Sequence, residues 1–230
     1  MTQKPCAWLS WSSGKDSAWA LHVVRQNNQF EAVALLTTVN RAFNRVAMHA
    51  VRESLLDAQA AAAGLPLIKI PIPSPCPNEI YERAMSEAMA QAKANGVTHV
   101  IFGDLFLEDI RKYREENLEK CGLTPVFPLW LKDTRRLANE MIAEGLRAYL
   151  TCVDSKKLAC SFAGRAFDSK LLRDLPASVD PCGENGEFHT FACAGPMFSA
   201  PIPVEPGEIV ERDGFIFADL LPGSAAAAHR

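Results

Sequence analysis

The chain has 230 residues, enough for one large domain or for a domain with a smaller appendage, each able to bury a core. A formal net charge of −3 leaves it without the strong positive field of a dedicated nucleic-acid binder, so a nucleic-acid partner is not expected. Its seven cysteines include no CxxC pair, which argues against a zinc ribbon or a thioredoxin-like redox site.

The elements read in chain order as strands alternating with helices. Ala7 to Leu9 is a short apolar strand that runs into a polar, Gly-containing loop. A helix is expected from Lys15 to Arg25, with Ala18, Leu21 and His22 on its inner face. Phe30 to Val39 reads as a strand buried on both faces, and Met48 to Ala63 as an Ala-rich helix closed by Gly64. Leu67 to Ile70 is a third strand. Pro71, Pro73, Pro75 and Pro77 are then expected to forbid regular structure. Glu79 to Asn95 is an amphipathic helix ended by Gly96, His99 to Phe102 a strand, Glu108 to Lys120 a helix and Thr124 to Phe127 a short extended piece.

This order predicts an α/β fold, a Rossmann-like parallel sheet with helices on both faces, over residues 1–130. Residues 131–230 read as a smaller C-terminal α+β domain on the substrate side. They hold a helix from Asp133 to Glu144, a strand from Ala148 to Val153, and a hairpin in which Ile209 to Glu211 and Phe215 to Phe217 flank Asp213-Gly214. The low-complexity tail Ala225 to Ala228 is expected to fray. No stretch approaches the ~20 apolar residues of a membrane span. Residues 1–30 lack the pattern of a secretory signal, so a cytoplasmic location is expected.

Parallel sheets bind ligands outside the carboxyl ends of their strands, where the loops Ser10 to Asp16 and Gly103 to Glu108 fall. The first reads LSWSSGKDSAWAL and lies between a strand and a helix. Main-chain amides and the dipole at a helix amino end favour an anion. Gly14 allows close backbone approach, and Lys15 brings a positive charge. Ser12, Ser13 and Ser17 bring hydroxyls, and Asp16 is the candidate Mg²⁺ ligand. The bland alternative is a serine-rich turn capping a helix. The spacing is not that of a Walker loop.

A second constellation, CGENGEFHTFACAGPMF, runs from Cys182 to Phe198. Glu184 and Glu187 sit in a turn punctuated by Gly183 and Gly186, a pattern suited to metal coordination, amine binding or proton transfer. If Glu187 to Phe191 is a strand, Glu187 and His189 share one side, and Phe188 and Thr190 the other. Taken alone, the segment reads equally well as a polar hairpin.

The loop closely resembles the SGGxDS pyrophosphate loop (PP-loop) of the adenine nucleotide alpha hydrolase superfamily, with Ser13 in place of the usual second Gly. Whether that position needs a positive φ is left open by the sequence. Together with the GENGEFHT segment and the stretch IFGDLFLEDIRKYREENLEKCGLTPVFPLW, the chain resembles the family of the diphthine–ammonia ligases over nearly all of residues 7–200. The resemblance implies that Ser12 to Ser17 bind the phosphates of ATP. It also implies that Gly103 and Asp104 lie at the nucleotide or metal edge, and that Glu184 and Glu187 belong to the substrate or ammonia side. His189 stands where diphthine–ammonia ligases commonly have Glu, and GENGEFHT looks like the form of bacterial relatives, which lack diphthamide.

The resulting expectation is an AMP-forming ligase that uses ATP and Mg²⁺ to adenylate a small-molecule or protein carboxylate and then transfers ammonia. Lys15, Glu184, Glu187 and His189 are its catalytic candidates, His189 because an unperturbed imidazole titrates near ~6.5. The alternatives are a non-catalytic nucleotide sensor and a PP-loop sulfur transferase, the latter needing a reactive cysteine near the loop. A homo-oligomer remains open on the sequence alone.

Overall fold

The structure is a computed structural model and describes residues 4–40, 45–46 and 51–224. Its first layer is a six-stranded sheet. The parallel strands are β1 (Cys6–Ser10), β2 (Glu31–Asn40), β4 (Leu67–Ile72), β5 (His99–Ile101) and β6 (Thr124–Val126), and the short β3 (Arg45–Val46) pairs antiparallel with β2. The parallel strands stand side by side in the order β4-β2-β1-β5-β6. Chain order therefore reverses at β1, which makes the carboxyl ends of β1 and β5 the topological switch point of the sheet.

Alternation along the strands divides the core between the sheet's two faces. Ala7 and Leu9 of β1, Leu35 and Val39 of β2, and Ile101 of β5 face a core shared with α1 (Lys15–Asn27), α2 (Glu53–Ala63) and α5 (Thr134–Ala143). Trp8, Ala34, Leu36 and Val100 face the opposite core, under α3 (Asn78–Ala94) and α4 (Glu108–Cys121). A second sheet is wholly antiparallel, in the order β8-β7-β10-β9, from β7 (Arg147–Asp154), β8 (Phe188–Ala194), β9 (Val204–Arg212) and β10 (Phe215–Pro222). Its buried residues Leu150, Phe191 and Ala192 belong to the same cluster as α1, so α1 lies between the sheets and is buried on nearly every side rather than along one stripe.

Several expectations are corrected. The second helix starts at Glu53, because Arg52 is extended at φ −64°, ψ 140°; the part expected at 48–50 lies outside the described residues. Pro71 does not end the third strand. It pairs with Val39, and β4 pairs only with β2 among the described residues, an edge position where a missing N–H is tolerated. A 3₁₀ turn at Cys160–Phe162 and the short helix α6 (Ser169–Asp174), whose amino end is capped by the Asp168 carboxylate accepting from the Leu171 N–H, were not expected. The hairpin is as read: Asp213 and Gly214 both have positive φ (53° and 82°), as a two-residue turn between twisted strands requires. The tail at 225–228 lies outside the described residues. Among the described residues, no helix is long and apolar enough to cross a membrane.

Candidate active site

The loop after β1 enters α1 at the switch point. Ser13 adopts φ 68°, so the position where the superfamily usually has Gly does take a left-handed conformation here. The loop is held from within by Ser12 Oγ, which accepts from the Gly14 N–H at 3.3 Å and lies 3.1 Å from Ser17 Oγ. Gln59 on α2, fully buried, holds it from outside: its amide nitrogen donates to the carbonyls of Ser13 (2.9 Å) and Ala192 (2.7 Å), and its Oε1 accepts from the Trp11 indole. Strand β8 completes the frame. The Ala192 N–H donates to the Ser13 carbonyl at 3.0 Å, and Thr190 Oγ1 accepts from the Lys15 N–H at 3.1 Å.

Gly103 lets the turn after β5 rest directly on the start of α1. A Cβ there would stand 2.8 Å from the Asp16 carbonyl carbon and 2.9 Å from the Ser17 nitrogen. Backbone on backbone leaves no flexible neighbour to move aside. The next residue, Asp104, is forked by Arg114 of α4 (Nε to Oδ2 at 2.5 Å, Nη2 to Oδ1 at 3.1 Å).

The 180–187 turn is built on its own carboxylates. Asp180 Oδ2 accepts from the N–H groups of Cys182 and Glu184, and Glu187 Oε1 accepts from the Asp180 N–H and the Asn185 amide. The turn then reaches the loop at two points. Glu184 Oε1 accepts from the Leu105 N–H at 2.7 Å, and the Cys182 carbonyl accepts from the Lys15 ammonium. That ammonium also meets Asp16 Oδ2 at 2.8 Å and lies between the rings of Phe167 and Phe188, 5.5 and 5.3 Å from their centroids.

Electrostatics follow from this burial. Burial disfavours the charge on Lys15, but the Asp16 carboxylate and further negative neighbours outweigh it and raise its pKa above 10.5. Burial raises the Asp16 carboxyl against the pull of Lys15, consistent with a half-satisfied group whose Oδ1 is buried without a partner. Glu184 is pushed up to about 7 by burial, with Asp16 and Asp104 adding to the effect. Burial, with Lys15 and Lys157 nearby, lowers His189 to about 4. Titration near 6.5, the property that singled His189 out, is therefore lost.

Of the candidate residues, the structure brings together the Ser12–Ser17 loop, Gly103, Asp104 and Glu184. It places Glu187 at the end of the 180–187 turn, 3% exposed and one residue before β8 begins, where its carbonyl accepts from the Asp154 N–H of β7 and its carboxylate closes the turn. The residues missed were Gln59 and the role of Thr190, which act through partners remote in sequence, and Asp180, whose partners lie within its own turn. Arg114 carries no signal of its own in the sequence, where it stands close to two other basic residues, Arg111 and Lys112. Beside the loop, at the carboxyl ends of β1, β2 and β4, lies a cleft of about 510 Å³ lined by Ser10, Trp11, Ser12, Thr37, Thr38 and Arg114, among others. Among the described residues, no group of three or more His, Cys, Asp or Glu side chains could hold a metal ion by itself.

Comparison with known proteins finds matches over both halves of the chain. The family model described as the diphthamide synthase N-terminal domain matches residues 6–125, and that of the diphthamide synthase C-terminal domain matches residues 133–218. The chain is 28% identical over 233 residues to the diphthine–ammonia ligase of Danio rerio, covering 91% of this chain and 90% of that protein. It is 26% identical over 231 residues to the diphthine–ammonia ligase of Bos taurus, covering 91% and 86%. Identity to the diphthine–ammonia ligase of Schizosaccharomyces pombe is 32% over 110 residues, which is 46% of this chain but only 18% of that longer protein.

Proposed function

Starting from the fact that the chain belongs to the diphthamide synthase family, we propose that it is an ATP-dependent, AMP-forming ligase that adenylates a carboxylate and transfers ammonia to it. The observation that carries this reading is the cleft at the carboxyl ends of β1, β2 and β4, which ends at Ser12 and so adjoins the amino end of α1. A nucleoside in that cleft directs its phosphates to the loop, where the helix dipole favours them.

In the first step a carboxylate oxygen of the acceptor attacks the α-phosphorus of ATP. The bond from that phosphorus to the bridging oxygen breaks, and pyrophosphate leaves with the electron pair. Lys15 neutralises the charge that develops there when its ammonium turns from the Cys182 carbonyl to the phosphates. Asp16 is the residue that fits Mg²⁺: Oδ1 is buried and unpartnered, and a magnesium ion bound through phosphates needs only one or two protein carboxylates. When bound, the ion supplies charge neutralisation at the phosphates. In the second step the ammonia nitrogen attacks the acyl carbon, the bond to AMP breaks, and a proton leaves the nitrogen. Glu184 is the fitting acceptor, because a carboxyl with a pKa of about 7 is partly ionised at neutral pH and basic enough to take it. Glu187 serves the turn, and His189, at about 4, is a weak base.

The acceptor is proposed to be a carboxylate other than diphthine, in keeping with His189 where the diphthine–ammonia ligases commonly have Glu. A sulfur-transfer reading gains no nucleophile from Cys182, the cysteine of the second motif. Cys182 is 1% exposed, its thiol donates to the Thr134 carbonyl, and burial pushes its pKa up. The test is product analysis with ATP, Mg²⁺, ammonium and a panel of carboxylates. AMP and pyrophosphate are expected, and release of ADP and phosphate alone would refute adenylation.

A further inference from the structure

The other face of the sheet holds a second cavity, of about 260 Å³, between α3 and α4. Its floor is Leu36, Val100 and Phe102, and its walls include Met85 and Met89 from α3 and Leu118 from α4. Nothing in the phosphate-loop chemistry uses it. It is not isolated, however, because Ser10, Leu36, Tyr81, Met85 and Arg114 line both this cavity and the nucleotide cleft.

Arg114 is the cation at that junction. Its guanidinium lies 4.3 Å from the centroid of the Phe102 ring, and Asp104 engages Nε and Nη2, so Nη1 stands outside the fork. An Arg held over an aromatic ring, with its orientation fixed by a carboxylate, is well arranged to receive a second planar carboxylate. The interior beyond it offers ring and thioether surface. The volume falls just under the roughly 300–1,000 Å³ of pockets that bury drug-sized ligands, so the body it takes is small. Glu82 and Lys120 also line it, and their opposite charges favour neither sign in the ligand's far end.

We propose that the α3–α4 cavity binds the acceptor's body, that the acceptor is a monocarboxylate with a small aromatic or branched aliphatic tail, and that Arg114 holds its carboxylate at the edge of the nucleotide cleft. The proposal rests on the adenylation reading and adds the class of substrate to it. A tail seated under α3 and α4 brings the carboxylate to the cleft from the side of β5, while the nucleotide enters over β1, β2 and β4.

The test uses the full chain and three probes: 3-phenylpropionate, acetate and glutarate. Carboxylate-dependent exchange of labelled pyrophosphate into ATP reports adenylation. Ligand-observed NMR with 3-phenylpropionate reports binding independently of chemistry. Ser86 is an exposed residue lining the α3–α4 cavity but not the cleft, so Ser86→Trp narrows the cavity without entering the core, and Ser86→Ala is its control. We expect 3-phenylpropionate to stimulate exchange at least tenfold more than acetate or glutarate. Ser86→Trp should abolish both that stimulation and the NMR signal, with ATP affinity within twofold of the parent. The cavity proposal is overturned if acetate or glutarate works equally well, if Ser86→Trp retains the stimulation, or if 3-phenylpropionate does not bind the parent. Binding that Ser86→Trp removes, with no exchange from any carboxylate, supports the cavity and refutes adenylation instead.

Discussion

The main-chain N–H of Lys15 donates to the Thr190 hydroxyl at 3.1 Å, a contact across 175 residues that ties the phosphate loop to the second sheet. Thr190 is 1% exposed and Lys15 2%, so no water stands ready to replace the hydroxyl. Thr190→Val keeps the shape and removes the acceptor. Leaving a buried N–H without a partner is expected to destabilise the fold by about 1–3 kcal/mol. The same change should weaken ATP binding, because the loop's position depends on β8. Urea unfolding and equilibrium dialysis with ATP check both effects. Unchanged stability would show that the loop finds another partner for this amide.

Gly103→Ala is the sharper test of how the two loops at the switch point fit. The added methyl meets the Asp16 carbonyl carbon at 2.8 Å and the Ser17 nitrogen at 2.9 Å, distances that require one of the two backbones to move. Overpacking of this kind costs about 1–3 kcal/mol. Here the displaced backbone carries the phosphate loop, so the loss of nucleotide affinity should exceed the loss of stability. Thermal unfolding with and without ATP separates the two: the parent's shift in Tm on adding ATP should shrink or vanish in the variant.

The first half of the site was legible in the sequence because its signals are local. An apolar strand, a Gly-containing polar loop and a helix are consecutive, and SSGKDS falls where they meet. The Asp213-Gly214 hairpin was legible for the same reason. What could not be read were contacts between segments far apart in the chain. Gln59 looks like one more polar residue in an Ala-rich helix until its amide is seen to join Ser13 and Ala192. Glu187 reads as a catalytic candidate in its glycine-punctuated turn, and nothing local in the sequence reveals that its Oε1 closes that turn on the Asp180 N–H. Pro71 misled in the other direction, since a proline ends a central strand but not an edge one.

Ser13 is expected to be a site of stored strain. It is fully buried at φ 68°, and its Oγ is buried without a partner. A left-handed conformation costs a non-glycine residue roughly 1–2 kcal/mol, and the unpaired hydroxyl adds to that. Glycine gives part of the gain back through the greater freedom of the unfolded chain. Ser13→Gly should therefore stabilise the protein by about 1 kcal/mol, read as a higher midpoint in urea at unchanged slope. A destabilised variant would mean that the hydroxyl is satisfied in solution.

The pH dependence of stability should carry the signature of Glu184. Its folded pKa is raised from 4.5 to about 7, chiefly by burial, so between those values the folded state holds a proton that the unfolded state has released. Its contribution is fully present below pH ~4.5 and is lost as the pH rises through about 7. Above that, folding must bury a carboxylate whose neighbours Asp16 and Asp104 are also acidic. Glu184→Gln keeps an oxygen for the Leu105 N–H and removes the ionisation. The variant should match the parent near pH 4 and exceed it at pH 8 by about 2 kcal/mol, after allowing for partial solvent access. Urea unfolding across that range measures the difference. If Glu184 takes the ammonia proton, the same variant loses ligase turnover at pH 8 while gaining stability there, a divergence that a purely structural role for Glu184 would not produce.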